Sequence, residues 1–532
     1  MLRTRSSRIA GLAAIATAGI VLAGCSTGPA EPAEDVETLW VEAIQEDPMS
    51  LNAQLTSAAS TQRLSQAMLE PLIGTSYDYE LFPMLADEYE LSDDGLELTL
   101  HIREGVTWHD GEPFTVDDVL FNFAETMPLS TYGPAFVSRI SSVEATDDST
   151  VVVELSEPYG PILETLALQM MLPKHVYEGT DYVTNPANMA PIGTGPMMFE
   201  SFSSGQELVL VKNEDYWRGE VQVDKAIYPV MSDPNTRTLS LANGEIDQAE
   251  VPPAQTAQVA GNPDIVKLTQ GYFPQAVVLE MNASNQYLSD VDVRAAVFSA
   301  IDRDAVTEVA LSGQGTPAEG FFPEELGWAV DDDVRFSEDF PYDPDQINED
   351  LDDAGYPVGA DGFRFTLNVK YISTLADTQA TGEQMKSMLA DVGINVVLEG
   401  VTSAVFTEQV YTQSAFDLAL LRTTAGADPS LGISRWYECN PNKTAARNPS
   451  TICDDEITEA AQGAAAAASR EERAEYFSDL QQRARELIFF APIAWTNASF
   501  PTVNTTRWDG ITPPAEGTVS TGMNWLTMTW KG

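Results

Sequence analysis

The chain opens with an unbroken run of 15 small, mostly apolar residues, Ile9 to Ala23, preceded by Arg3, Arg5 and Arg8. A basic start and a short apolar core predict a signal peptide over residues 1–24, since a spanning helix needs about 20 apolar residues. No later segment approaches that length, so the pattern predicts no other span. From Glu37 to Ile44 apolar and polar positions alternate as in a strand, which Asp47-Pro48 ends. Residues 60–69 read as a helix and 96–103 as a strand closed by a turn at Glu104-Gly105. Thr115 caps a following helix in which Asp118 takes the third position. The β-branched runs 150–155 and 207–212 are strands. Apolar spacings of three and four predict helices at 292–301, 303–311, 375–391 and 472–490, with strands at 363–371, 394–399 and 416–421. Such alternation predicts an α/β chain with mixed sheets. The acidic run 331–333 reads as a solvated turn and the alanine run 464–468 as an exposed helix.

At 532 residues and 43% hydrophobic composition, the chain is long enough for two or three lobes. The formal charge is −53, and a leader holding three Arg and no acid leaves the mature chain more negative still. Nucleic acid is excluded as a partner on those grounds. The acids are spread along the sequence, as on a solvated surface. Leu22-Ala23-Gly24-Cys25 resembles the bacterial lipobox, whose Cys is diacylated and becomes the mature N-terminus. It implies lipidation at Cys25, with 25–36 as a lipidated Cys and flexible tether too polar and Pro-rich to pack. Cys439 and Cys453 remain, 14 apart in a loop-like stretch of an exported chain; a disulfide and a metal pair both fit, and the lack of a nearby His favours the disulfide.

Catalytic chemistry leaves little trace. His occurs only at 101, 109 and 175, and there is no His-Glu-x-x-His pair, no Gly-x-Ser-x-Gly elbow and no Ser-x-x-Lys. Gly193-Thr194-Gly195-Pro196 lacks the Lys and helix of a phosphate loop, and His109-Asp110-Gly111 reads as a β-turn. No enzyme activity, metal or cofactor is expected.

The stretch 85–121, LADEYELSDDGLELTLHIREGVTWHDGEPFTVDDVLF, resembles the signature of the family 5 extracellular solute-binding proteins, the oligopeptide, dipeptide and nickel type. Further blocks agree in order: 191–220 (PIGTGPMMFESF with KNEDYWRGE), NGEID at 243–247, DVRAAVFSAIDRDAV at 292–306 and YDPDQINEDLDDAGY at 342–356. The resemblance implies a two-lobed, periplasmic-binding-protein-like α/β fold (type II, the large three-subdomain cluster) with hinge strands near 277–281 and 491–496. The first lobe's main subdomain falls at 37–69, 190–279 and 495–532, its extra subdomain at 70–189, and the second lobe at 280–494. It also implies an extracytoplasmic monomer on the outer face of the bacterial membrane, feeding a peptide or other small solute to ABC permease subunits.

Peptide-binding members of the family hold the ligand backbone like an added strand and take its ammonium on an Asp in a Gly-Trp-x-x-Asp stretch. Here 416–432 reads FDLALLRTTAGADPSLG, which places Arg422 at the Gly and Gly426 at the Asp. The pattern is broken. Asp428 either takes over the ammonium or serves an Asp-Pro turn, and Arg422 pairs either with a ligand carboxylate or with Asp428. Ser57, Ala58 and Ala59 match the first cleft-facing loop. Glu280 matches a cleft-side acid, with a solvated surface acid as the alternative. Phe406, Trp436, Tyr437 and Trp495 fall in cleft-facing segments, where each serves either the ligand or the core.

Overall fold

The computed structural model describes residues 37–56, 59–76, 80–252, 255–268, 275–496, 501–511 and 523–532. The leader, Cys25 and its tether lie outside these residues, as do Ser57 and Ala58. The first lobe is built on a sheet in which Leu39–Val41 runs parallel to Lys225–Pro229, followed by Glu207–Lys212 and Met197–Ser203 in antiparallel register. A second small sheet sets Pro501–Asn504 between Gln248–Glu250 and Ile265–Lys267. The extra subdomain carries an antiparallel sheet ordered Ala86–Leu91, Glu97–Ile102, Thr150–Leu155 and Ile140–Ala145. Its strands alternate buried and open positions, so Leu98, Leu100, Val151 and Val153 line one face, which the Val116–Phe121 helix covers through Val119. That helix starts as its sequence asks: the Asp118 carboxylate accepts the Thr115 amide at 3.0 Å.

The second lobe holds a six-stranded sheet ordered Gly315–Pro317, Phe490–Thr496, Gln275–Met281, Leu418–Thr424, Phe365–Ile372 and Ile394–Val401. Gln275–Met281 sits inside it, paired antiparallel to Leu418–Thr424 on one side and Phe490–Thr496 on the other. Its almost continuous apolar run is what a strand covered on both faces requires. Hinges expected near 277–281 and 491–496 are therefore misplaced. Both strands belong whole to the second lobe, and boundaries drawn at 280 and 495 cut through them. The chain leaves the first lobe after Leu268 and is in the second from Gln275, and it passes back between Thr496 and Pro501. The extra subdomain also ends earlier than 189, because Met170, Leu172, Tyr177 and Tyr182 already pack in the main subdomain's core.

The motifs that carry the family resemblance act as joints. His109, pushed down to about 4 by burial, stays neutral, accepts the Gly193 amide on Nδ1 at 3.1 Å and donates from Nε2 to the Gly195 carbonyl at 3.0 Å. The turn at Gly193 and Gly195 must be glycine because a Cβ on Gly195 would stand 2.8 Å from the Ala67 and Met68 carbonyl oxygens. Glu70, buried beside it, accepts from Thr194, Tyr216 and Trp217. Cys439 and Cys453 are joined as a disulfide, Cα atoms 4.6 Å apart. Among the described residues no helix is long and apolar enough to cross a membrane.

Candidate functional site: the boundary between the lobes

The lobes meet in two zones. On the hinge side, Gln314 of the second lobe donates to the Thr256 hydroxyl at 2.9 Å and accepts from Lys267, both of the first lobe. At the far end, the Gly160 amide of the extra subdomain donates to the Ala465 carbonyl at 2.9 Å, and Arg470 reaches Glu164 at 3.5 Å. The surfaces there are close enough that a Cβ on Gly160 would lie 2.6 Å from Arg473 Nε and 2.8 Å from the Ala467 carbonyl. The alanine run 464–468, expected as an exposed helix, is therefore part of this contact. Ala464 and Ala467 are buried, because small side chains let the two backbones approach. In the acidic run, Asp331 is buried and accepts from Ser478 and Gln482, whereas its two neighbours are exposed.

Charged side chains of both lobes gather near the hinge-side zone. On the first lobe, Arg63 pairs with buried Glu42 at 2.8 Å, and Glu250 ends its strand with Oε2 accepting from Gln45 at 2.7 Å. Burial raises the Glu250 carboxyl above the usual range, against the nearby charges of Arg422, Arg63 and Arg237. On the second lobe, Arg422 opposes Val277 in the sheet, and its Nε donates to fully buried Asp377 at 2.6 Å. Arg435 lies against Tyr132 of the extra subdomain. Lys267, pushed down to about 8 by burial, completes the hinge-side group.

Several expectations change on this geometry. Arg422 pairs with Asp377, not with Asp428. Asp428 is 1% exposed and held by Arg473 at 2.5 Å, so its charge is already neutralised inside the lobe and cannot meet a ligand ammonium. It is more than an Asp-Pro turn, because the Arg473 guanidinium also donates to the Ala464 carbonyl and ties the loop to the helix below. Gly426 has φ +80°, and a Cβ there would meet the Gly432 Cα at 3.0 Å, so a side chain is excluded at the place where the family pattern has its Asp.

Glu280 is neither a cleft acid nor a surface acid. It is fully buried in its strand, both carboxyl oxygens lack a partner among the described residues, and burial pushes the group well above the usual carboxylate range. Phe406 packs edge-on against Tyr411, Trp436 stacks on Phe490 while donating to Thr423 at 2.8 Å, and Tyr437 packs against Phe321 and Phe490. Trp495 lies in a strand between Ala276 and Thr316, 7% exposed. All four aromatics serve the core. Ala59 opens the Ala59–Ser65 helix that carries Arg63. Sequence reasoning missed Glu250, Arg63 and Arg435. Glu250, three residues beyond the NGEID block, ends a strand predicted by no apolar run, so no local pattern marks it.

A cavity of about 340 Å³ lies on the second lobe alone, among Asn282, Asn285, Asn368, Lys370, Glu399 and Asp417. Its polar groups satisfy one another, Asp417 accepting from both Asn285 and Asn368 and Lys370 pairing with Glu399. Among the described residues no group of His, Cys, Asp and Glu is gathered for a metal ion.

Two lobes joined by a double crossing, meeting over a band of charged side chains, define a two-lobed ligand-binding protein. Residues 80–444 match the bacterial extracellular solute-binding proteins, family 5 (middle region), and the chain belongs to that family. It is 31% identical over 377 residues to a putative ABC transporter peptide-binding protein of Brucella ovis, covering 68% of this chain and 69% of that one. It is 28% identical over 385 residues to heme-binding protein A of Haemophilus influenzae, covering 65% and 68%. The fold matches the ABC transporter-associated periplasmic binding protein DppA of Helicobacter pylori, solved with the peptide STSA, with a TM-score of 0.76 at 23% identity over 93% of this chain and 98% of that one.

Proposed function

We propose that the chain is the extracytoplasmic receptor of an ABC importer, a monomer that captures peptides between its lobes, catalyses no reaction and delivers its cargo to membrane permease subunits. The observation that carries this reading is the group of Arg63, Glu250 and Arg422, drawn from both lobes and close enough for their charges to act on one another. A solute entering there is held from both sides once the lobes close, which buries it and links binding to a change of shape. The names of the Brucella and Helicobacter relatives support peptide as the cargo. Cys25, as a lipidated N-terminus, keeps the body at the outer face of the membrane, where the permease waits. Calorimetry of the mature chain with pools of short peptides tests the cargo: heat release with saturable binding is expected, and silence across every pool sinks the peptide reading. Cys25→Ser tests the anchor, since it should move the protein from the membrane fraction into the medium.

A second reading, the same receptor carrying a non-peptide solute such as a nickel chelate or an oligosaccharide, is favoured by one observation. Gly426 admits no side chain and Asp428 is spent on Arg473, so the family's ammonium-binding acid is missing from its usual loop. Mass spectrometry of ligand released from the purified protein separates the two.

A further inference from the structure

The missing acid leaves a question of charge balance at the lobe boundary, and the carboxylates there differ in how they are committed. Glu42 is 1% exposed and paired with Arg63. Asp377 is fully buried and paired with Arg422, and Asp428 is paired with Arg473. Glu250 is only partly covered and accepts a single side-chain hydrogen bond, on Oε2 from Gln45; its other oxygen has no protein partner among the described residues. Arg422 stands opposite in the same condition. Its Nε is fixed by Asp377, while its two terminal nitrogens have no protein partner among the described residues. The two groups feel one another's charge across the boundary without forming an ion pair. Each has one end engaged and the other open, and they belong to different lobes.

We propose that Glu250 and Arg422 form a charge clamp for a zwitterionic ligand, Glu250 of the first lobe holding its ammonium group and Arg422 of the second its carboxylate. The clamp rests on the peptide reading above and departs from the family's arrangement, with the ammonium-binding acid moved to the first lobe and Arg422 standing on the second. It accounts for both departures in 416–432 together: Arg422 replaces a Gly, and Gly426 replaces an Asp that the ligand no longer needs there. A guanidinium already oriented by a buried carboxylate loses little freedom on meeting a second one, which suits bidentate capture. Because the two halves sit on opposite lobes, a free-ended ligand engages both only when the lobes close.

The test compares three pools of short peptides of equal sequence: free at both ends, N-acetylated, and C-amidated. Binding is followed calorimetrically with the mature chain. Free-ended peptides should bind, and either block should weaken binding about tenfold or more, the scale for losing one partner of a charged hydrogen bond. Glu250→Gln should reproduce the acetylation loss, with acetylated peptides losing nothing further. Arg422→Gln combined with Asp377→Asn, which keeps the buried charge balanced, should do the same for amidation. Equal binding of free and blocked peptides overturns the clamp while leaving the peptide receptor standing. Binding by none of the three pools overturns both.

Discussion

The two zones where the lobes touch are built from different materials. The hinge-side zone is side chain to side chain: Gln314 with Thr256 and Lys267, beside the charges of Glu250 and Arg422. The far zone joins backbone and small residues to one ion pair: the Gly160 amide on the Ala465 carbonyl, Gly95 and Gly160 against the alanine run, and Arg470 on Glu164. For a rotation of one lobe against the other about the side where Leu268 precedes Gln275 and Thr496 precedes Pro501, displacement grows with distance from the pivot. Long polar side chains near the pivot can follow a small movement and stay engaged. Contacts far from it must separate completely and re-form, which favours a flat meeting of small residues over interlocked side chains. Arg473, 2% exposed, holds the second lobe's half of that surface in place through Asp428 and the Ala464 carbonyl.

The sharpest way to break this contrast is a wedge at the far zone. Gly160→Val puts methyl groups where a Cβ alone already stands 2.6 Å from Arg473 Nε. Overpacking of that kind costs about 1–3 kcal/mol, so ligand affinity should fall roughly 5- to 150-fold while the thermal stability of the ligand-free protein is unchanged. Small-angle scattering with saturating ligand should then report an expanded molecule. A compact complex of normal affinity would mean that the zone does not take part in closure.

Proton linkage is the next largest effect. Glu164 is pushed up to about 7 in the far zone, chiefly by burial and then by the charge of Asp428, against the opposing pull of Arg473 and Arg470; Tyr89 is the other titratable neighbour. Exposed, the same carboxyl titrates near 4.5. The closed contact thus binds the proton more tightly than the open one, so this contribution to closure is complete below about 4.5 and is lost as pH rises through about 7. Affinity for a ligand with no titration of its own in that range should fall as pH rises across it, and Glu164→Gln should flatten the profile. A profile that Glu164→Gln leaves unaltered would place the proton elsewhere.

The smallest effect is expected near the pivot. Gln314→Ala removes the bridge to Thr256 and Lys267, yet a partly solvated hydrogen bond contributes only about 0.5–1.5 kcal/mol. Affinity should change by no more than about tenfold, with closure by scattering intact. A loss as large as that of Gly160→Val would erase the distinction between the zones.

Much of the fold was legible because period and capping are local. Strands 150–155 and 207–212 lie where the β-branched runs place them, and the Thr115-Asp118 start holds. What the sequence did not convey was membership. The run at 275–281 suits a buried strand, but nothing local says which sheet takes it, and the family resemblance alone puts a hinge there. The site was less legible still. Asp428 and Arg473 lie 45 residues apart, and only the folded chain reveals that one cancels the other. Glu280 misled because an acid inside an apolar run is ordinarily solvated, whereas this one is buried without a partner. The alanine run gave no hint of contact, since a stretch of small side chains carries almost no pattern.

That last feature has a consequence for how such a receptor changes over time. A contact made mostly from amides, carbonyls and methyl groups, with the one ion pair of Arg470 and Glu164, asks chiefly that certain positions remain small; none of these groups faces the charges of Glu250 and Arg422. Closing and choosing cargo are thereby entrusted to separate sets of residues. An engineer, or a lineage, can rewrite Glu250, Arg422 and their neighbours for a new solute while the means of shutting around it is inherited unaltered.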